Sequence, residues 1–84
     1  MSQWYVYMVQ CTDGSLYTGI ATDIDRRVAE HNAGTGARYT RGRGPVTLVY
    51  REEVKDRPTA LKREYAIKRM RTDQKREMID LFSI

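Results

Sequence analysis

Two polar side chains occupy positions on one helix that apolar residues would normally hold. The segment Asp23-Ile24-Asp25-Arg26-Arg27-Val28-Ala29-Glu30-His31-Asn32 reads as a helix. With Ile24 at the origin of a wheel of about 100° per residue, Arg27 falls at about −60°, Val28 at about +40° and His31 at about −20°. The four residues share the i, i+3, i+4, i+7 stripe that a surface helix turns toward its core. Placing Arg27 and His31 there is costly unless each finds a partner. The bland alternatives are a snorkelling arginine stem and a hydrogen-bonded histidine near a helix C-terminus. Both residues together, beside the two best apolar positions, point to a site. Arg26 and Glu30 lie on other faces and read as solvated charges.

A later helix repeats the anomaly. With Leu61 at zero, Tyr65 is at about +40°, Ala60 at about −100° and Ile67 at about −120°, and Glu64 falls inside that arc at about −60°. A carboxylate there should ionise only beside a cation or a metal. Lys68, four residues on, supplies the plain alternative of a helix ion pair worth ~0.3–0.5 kcal/mol. Lys62 and Arg63 read as solvent-facing. Six tyrosines add phenols, three of them (Tyr5, Tyr7, Tyr17) in the first 17 residues. Whether Tyr7 and Tyr17 share a face depends on one residue of register. A two-residue Asp13-Gly14 turn sets them on opposite faces. A three-residue Thr12-Asp13-Gly14 loop with left-handed Gly14 pairs Val9 with Tyr17 and puts Tyr7 diagonal to it. The sequence allows both turns.

These residues must be positioned by a small scaffold. A chain of 84 residues is one domain with a thin core. Its 40% hydrophobic and 31% charged composition suits a globular protein. No apolar run approaches the ~20 residues of a membrane span, and no signal peptide is expected. The single cysteine, Cys11, cannot form an internal disulfide or a cysteine-rich zinc site. The net charge of +4 is uneven, with −3 in residues 1–25, +5 in residues 26–51 and +2 beyond. The central excess is all arginine, which suits a phosphate-rich partner such as nucleic acid or, equally, a well-solvated loop. A monomer in the cytoplasm is the expected state.

The expected order is β-β-α-β-α-α. Trp4–Val9 is a strand buried on both faces, returning through the Asp13-Gly14 turn as Ser15–Ile20. Thr22 is expected to cap the first helix, which Gly34 and Gly36 stop after Asn32. Residues 34–45 form a basic glycine-rich loop, and Val46–Tyr50 is a third strand. A second helix starts at Pro58 and runs to about Arg71, and a last one opens at Thr72 or Asp73. The fold class is α+β, a three-stranded, mainly antiparallel sheet flanked by helices. Trp4, Phe82 and Ile84 are apolar ends that ordinary packing would cover.

Together these residues resemble the GIY-YIG nuclease domain. Its first motif stands as Tyr5-Val6-Tyr7, with Tyr5 and Val6 for the usual Gly and Ile, and its second as Tyr17-Thr18-Gly19, with Thr for Ile. The helix from Asp23 is similar to the family's arginine-bearing helix, with Arg27 on its catalytic arginine and His31 on its frequent histidine. Glu64, in Ala60-Leu61-Lys62-Arg63-Glu64-Tyr65, fits the metal-binding glutamate. The resemblance covers nearly the whole chain, residues 1–84 as one domain. It is closest to the small stand-alone bacterial members of YhbQ/YazA type, whose loop is similar to Gly36-Ala37-Arg38-Tyr39-Thr40-Arg41-Gly42-Arg43-Gly44. The late asparagine of some members is absent, since Asn32 is the only asparagine.

The resemblance implies a divalent-metal-dependent endonuclease acting on phosphodiester bonds of nucleic acid, with DNA in repair or processing as the expected substrate. It implies one Mg²⁺ or Mn²⁺ on Glu64, Arg27 clamping the scissile phosphate, and Tyr7 or Tyr17 taking the proton from water while the other orients it. His31 would hydrogen-bond a phenol or the phosphate, and Gly19 would permit close backbone approach. Arg38, Tyr39, Arg41 and Arg43 would grip the phosphate backbone by shape, without base readout. The alternative is a non-catalytic nucleic-acid-binding module on the same fold.

Overall fold

Strand β1 (Trp4–Gln10) is the centre of the molecule because its aromatic and β-branched residues bury both faces. The computed structural model describes residues 3–82, and Ile84 lies outside that range. Strands β2 (Leu16–Ala21) and β3 (Thr47–Val54) pair with β1 on either side, both antiparallel, in the order β2-β1-β3. Between β2 and β3 come helix α1 (Ile24–Asn32) and a short 3₁₀ turn at Arg38–Thr40. Helices α2 (Arg57–Lys68) and α3 (Thr72–Phe82) follow β3. No helix among the described residues is long and apolar enough to cross a membrane.

The alternation of β1 divides the core in two. Tyr7 and Val9 point with Cys11, Ala21, Ile24 and Val46 toward α1. Val6 and Met8 point the other way, onto Ala60 and Ile67 of α2, with Met78 and Ile79 of α3 beside them. The hairpin adopts the three-residue loop. The Cys11 N–H donates to the Ser15 carbonyl (2.9 Å), the Gly14 N–H donates to the Cys11 carbonyl (3.0 Å), and Gly14 has φ +85°. Val9 therefore faces Tyr17, and Tyr7 faces Gly19 on the same side of the sheet.

Several local expectations are corrected. Asp23, not Thr22, caps α1, its carboxylate accepting from the Arg26 N–H at 3.1 Å. Strand β3 begins one residue later than expected and runs on to Val54, because the whole length of β1 is available to pair with it. Helix α2 begins at Arg57, capped by Asp56 accepting from the Thr59 N–H (2.9 Å), with Pro58 in its first turn, and ends at Lys68. The larger correction concerns its face. Ala60 and Ile67 are the buried positions, while Leu61 and Tyr65 are 37% and 63% exposed. The inward stripe thus centres some 110° from Leu61 on the wheel, with Glu64 at one edge and Arg63 at the other. Arg63 is not a free surface charge: it makes a bidentate pair with Glu52 of β3 (Nε–Oε2 2.7 Å, Nη2–Oε1 2.8 Å), which lowers the Glu52 pKa. Phe82 remains 46% exposed, against Tyr50 at 5.3 Å between ring centroids.

Ile67 is the largest α2 side chain fully buried against β1. Ile67→Ala should cost ~2–5 kcal/mol in chemical denaturation. A loss below ~1 kcal/mol would show that α2 is not seated through this residue.

Candidate active site

The Tyr7–Tyr17 pair is the point on which four elements converge. Tyr7 comes from the central strand and is fully buried. Tyr17, from the edge strand β2, is half-buried, and the two rings lie 6.5 Å apart between centroids. The chain permits this only because residue 19 is glycine. A Cβ there would stand 2.7 Å from the Tyr7 hydroxyl oxygen, 2.9 Å from its ring carbon and 3.1 Å from Tyr17. Gly19 therefore makes room for a phenol lying across the backbone of β2.

Helix α1 delivers His31 and Arg27 to this pair. His31 is buried, with Nε2 2.8 Å from the Tyr7 hydroxyl and Nδ1 2.8 Å from Thr40 Oγ1. The Thr40 hydroxyl donates to the Ala37 carbonyl (2.9 Å), which leaves its oxygen to accept from Nδ1–H. Nε2 then carries the lone pair and accepts from Tyr7. The Ala37 N–H also approaches Nδ1, at 3.4 Å, and would donate to it in the other tautomer, in which Nε2–H donates to the Tyr7 oxygen. Burial, and then the positive charge of Arg27, push the His31 pKa down. Burial likewise pushes the Tyr7 phenol up to about 12, against the lowering effect of Arg27.

Arg27 lies at the edge of the core, its side chain one-third exposed, with Nη1 2.9 Å from Glu30 Oε1. Glu30 raises the Arg27 pKa, and Tyr7 adds to the effect. Glu30, read as a solvated charge from sequence, is thus the partner that holds the guanidinium, and it meets Arg26 as well (3.3 Å). On the other side of β2, α2 brings Glu64, whose side chain is 19% exposed and whose Oε2 lies 3.3 Å from Lys68 Nζ. The plain ion pair is therefore formed. Glu64 is also within electrostatic reach of Tyr7, and Lys68 Nζ stands 5.9 Å from the Tyr17 ring.

The basic loop is tied to the site. Gly36 packs its backbone on the imidazole, so that a Cβ would sit 2.5 Å from Nδ1 and 2.8 Å from the His31 Cα. Tyr39 stacks on Tyr17 (6.1 Å, 23° between planes) and carries the Arg43 guanidinium 4.4 Å from its centroid. Arg43 also pairs with Asp13 at the hairpin tip (2.6 Å). The Asp13 carboxyl is held down at about 2, mainly by hydrogen bonds from Ser15. Arg38 and Arg41 are exposed and form no ion pair among the described residues. The structure thus brings Tyr7, Tyr17, Arg27, His31 and Tyr39 together with Gly19, sets Glu64 at their edge, holds Arg43 between Tyr39 and Asp13, and leaves Arg38 and Arg41 to solvent. Sequence reasoning missed Thr40 and Gly36. Gly36 had a faint signal as one of the glycines flanking a helix end, and both lie in the loop of the family resemblance, which gave Thr40 no role of its own.

Among the described residues no group of three or more His, Cys, Asp or Glu side chains could hold a metal ion. Glu64 offers one hard carboxylate. That donor set fits Mg²⁺ or Mn²⁺, which keep most of their waters, and does not fit a closed structural zinc site.

Fold and site together define a nuclease-type domain. Residues 3–77 match the GIY-YIG catalytic domain, and the chain belongs to the GIY-YIG family. It is 60% identical over 77 residues to a UPF0213 protein of Desulfotalea psychrophila, covering 90% of this chain and 70% of the relative. It is 50% identical to a UPF0213 protein of Staphylococcus haemolyticus, covering 95% and 98%. The NMR structure of a UPF0213 protein from Bacillus halodurans shares 43% identity with a TM-score of 0.61, covering 94% and 84%. That of an E. faecalis protein shares 39% with a TM-score of 0.66, covering 99% and 88%. Nucleases of this family commonly use divalent metals.

His31 gives a pH test. Its folded pKa lies below the ordinary histidine value of about 6.5, so the unfolded chain binds the extra proton first. Stability should therefore fall as pH drops through ~6.5 toward the folded value. The carboxylates Glu30, Glu52 and Asp56, whose pKa values are lowered, lose their contribution only below about 4.5. Urea midpoints from pH 8 to 5 should decline for wild type and stay flat for His31→Asn. An equal decline in both would remove His31 as the cause.

Proposed function

We propose that the domain is an endonuclease that hydrolyses phosphodiester bonds in nucleic acid, with DNA the substrate to test first and repair or processing its setting. The observation that carries the proposal is the convergence of an arginine, two phenols, a buried histidine and a carboxylate from four elements around one edge strand. Arg27 is the phosphate clamp. Its guanidinium is charged at any physiological pH and only part-shielded, and Glu30 is a displaceable partner. Tyr17 is the phenol that water can reach, with the Lys68 ammonium near its ring. That exposure makes it the phenol placed to take the proton from a water beside the phosphate. Tyr7 suits that role poorly, being buried, pushed up to about 12 and committed to His31. Its part is to fix Tyr17 and Arg27 in place. Glu64 would hold the divalent ion, which when bound would neutralise charge on the leaving oxygen. Arg38 and Arg41 contact the phosphate backbone without reading bases.

One observation favours the second possibility, a binding module without turnover: Arg27 and Glu64 are each engaged by a side-chain partner, Glu30 and Lys68. The two possibilities part in a nicking assay on branched, nicked and single-stranded DNA and RNA. The endonuclease should cut with Mg²⁺ or Mn²⁺ and stop on chelation. Arg27→Ala should slow cutting by ~10²–10³, and Glu64→Ala should abolish it, with thermal midpoints unchanged. Binding without cutting by all three proteins would leave the module. In either case, removing Arg38 and Arg41 together should reduce the salt dependence of duplex affinity by about two powers of salt concentration.

A further inference from the structure

We propose that the outward stripe of α2, formed by Leu61, Lys62, Tyr65 and Arg69, is a platform for an unpaired stretch of the nucleic acid beside the scissile phosphate. The inference rests on the nucleic-acid function above and names the kind of nucleic acid. Three observations carry it.

First, the fold does not use this stripe. Leu61 and Tyr65 are exposed although α2 has an apolar side to spare, and Ala60 and Ile67 do the packing. Second, its chemistry is that of a stacking platform. The Arg69 guanidinium lies 5.4 Å from the Tyr65 ring centroid, with Nη1 3.5 Å from the phenol oxygen. Residues 57–71 carry six Lys or Arg against the single carboxylate of Glu64. Three of the six form ion pairs, Arg63 with Glu52, Lys68 with Glu64 and Arg71 with Asp73, and Arg57 lies over the Trp4 ring at 5.9 Å. Lys62 and Arg69 form no ion pair among the described residues. Third, the stripe is continuous with the site. Tyr65 follows Glu64 in the chain, and Lys68, one turn from Glu64, reaches the Tyr17 ring, which in turn stacks on Tyr39 of the basic loop.

An exposed tyrosine under an arginine takes bases by their faces, and only an unpaired base has a face to offer. A duplex would meet the same stripe with its backbone alone. The occupant is therefore single-stranded, and the preferred substrate carries a single-stranded segment next to the bond that is cut.

Fluorescence anisotropy with a labelled oligothymidine strand and a blunt duplex of the same length tests this. Tyr65→Ala should weaken strand binding by roughly tenfold and duplex binding far less, while Tyr65→Phe should bind as wild type. Replacing Lys62 and Arg69 by Ala together should lower the salt slope for the strand by about 1.4. Circular dichroism should show the same fold and melting midpoint throughout. If these variants bind the strand as wild type does while replacing Arg38 and Arg41 still weakens both probes, the platform is wrong and the nucleic-acid function stands. If wild type binds neither probe, both fall. A loss of strand and duplex binding in equal proportion on Tyr65→Ala would also overturn the platform.

Discussion

The hydrogen bond of 2.8 Å between the Tyr7 hydroxyl and His31 Nε2 joins the central strand to α1 inside the core, and the placement of the site depends on it. Two polar groups are buried together there, and either one left alone would cost ~1–3 kcal/mol. Each therefore imposes conditions on its surroundings. Tyr7 needs a glycine opposite it in β2. His31 needs a partner for its other nitrogen, which Thr40 supplies, and a glycine at position 36 so that the loop backbone can close over the ring. The basic loop is thus built onto the histidine, and Tyr39 and Arg43 are carried to Tyr17 by the same closure.

The charged groups at the rim obey a different economy. Arg27–Glu30, Lys68–Glu64 and Arg43–Asp13 are ion pairs with partly exposed side chains. Pairs of that kind are weak, because solvent screens them and holding two long side chains together costs entropy. A phosphate or a hydrated cation can displace such partners at little cost, whereas the Tyr7–His31 contact beneath cannot be exchanged. Rigid phenols and imidazole below, with loosely held charges above, suit the proposed phosphodiester site: fixed positions, with electrostatics open to a substrate.

Much of this was legible in the sequence, and the exceptions have physical causes. The positions of Arg27 and His31 on one stripe with Ile24 and Val28 followed from helical period, and the structure places Ile24 and His31 in the core. The sequence does not choose the hairpin register, because Asp13-Gly14 suits both loops and only the pairing of Cys11 with Ser15 separates them. The wheel for α2 failed because it was centred on the largest apolar residues. The interior selected small Ala60 and Ile67 to approach the sheet, and a bidentate Arg63–Glu52 pair across 11 residues of sequence fixed the rotation. Thr40 and the Arg43–Asp13 pair, 30 residues apart, depend on tertiary closure, which no local pattern encodes.

The most direct measurement is a crystal structure of Glu64→Ala bound to a nicked or branched DNA duplex. The predicted result is a phosphate within hydrogen-bond reach of both the Arg27 guanidinium and the Tyr17 hydroxyl, with Glu30 displaced and the Tyr7–His31 contact intact. DNA bound along another face, with Arg27 still paired to Glu30 and Tyr17 touching no phosphate, would contradict the assignment of this cluster as the active site.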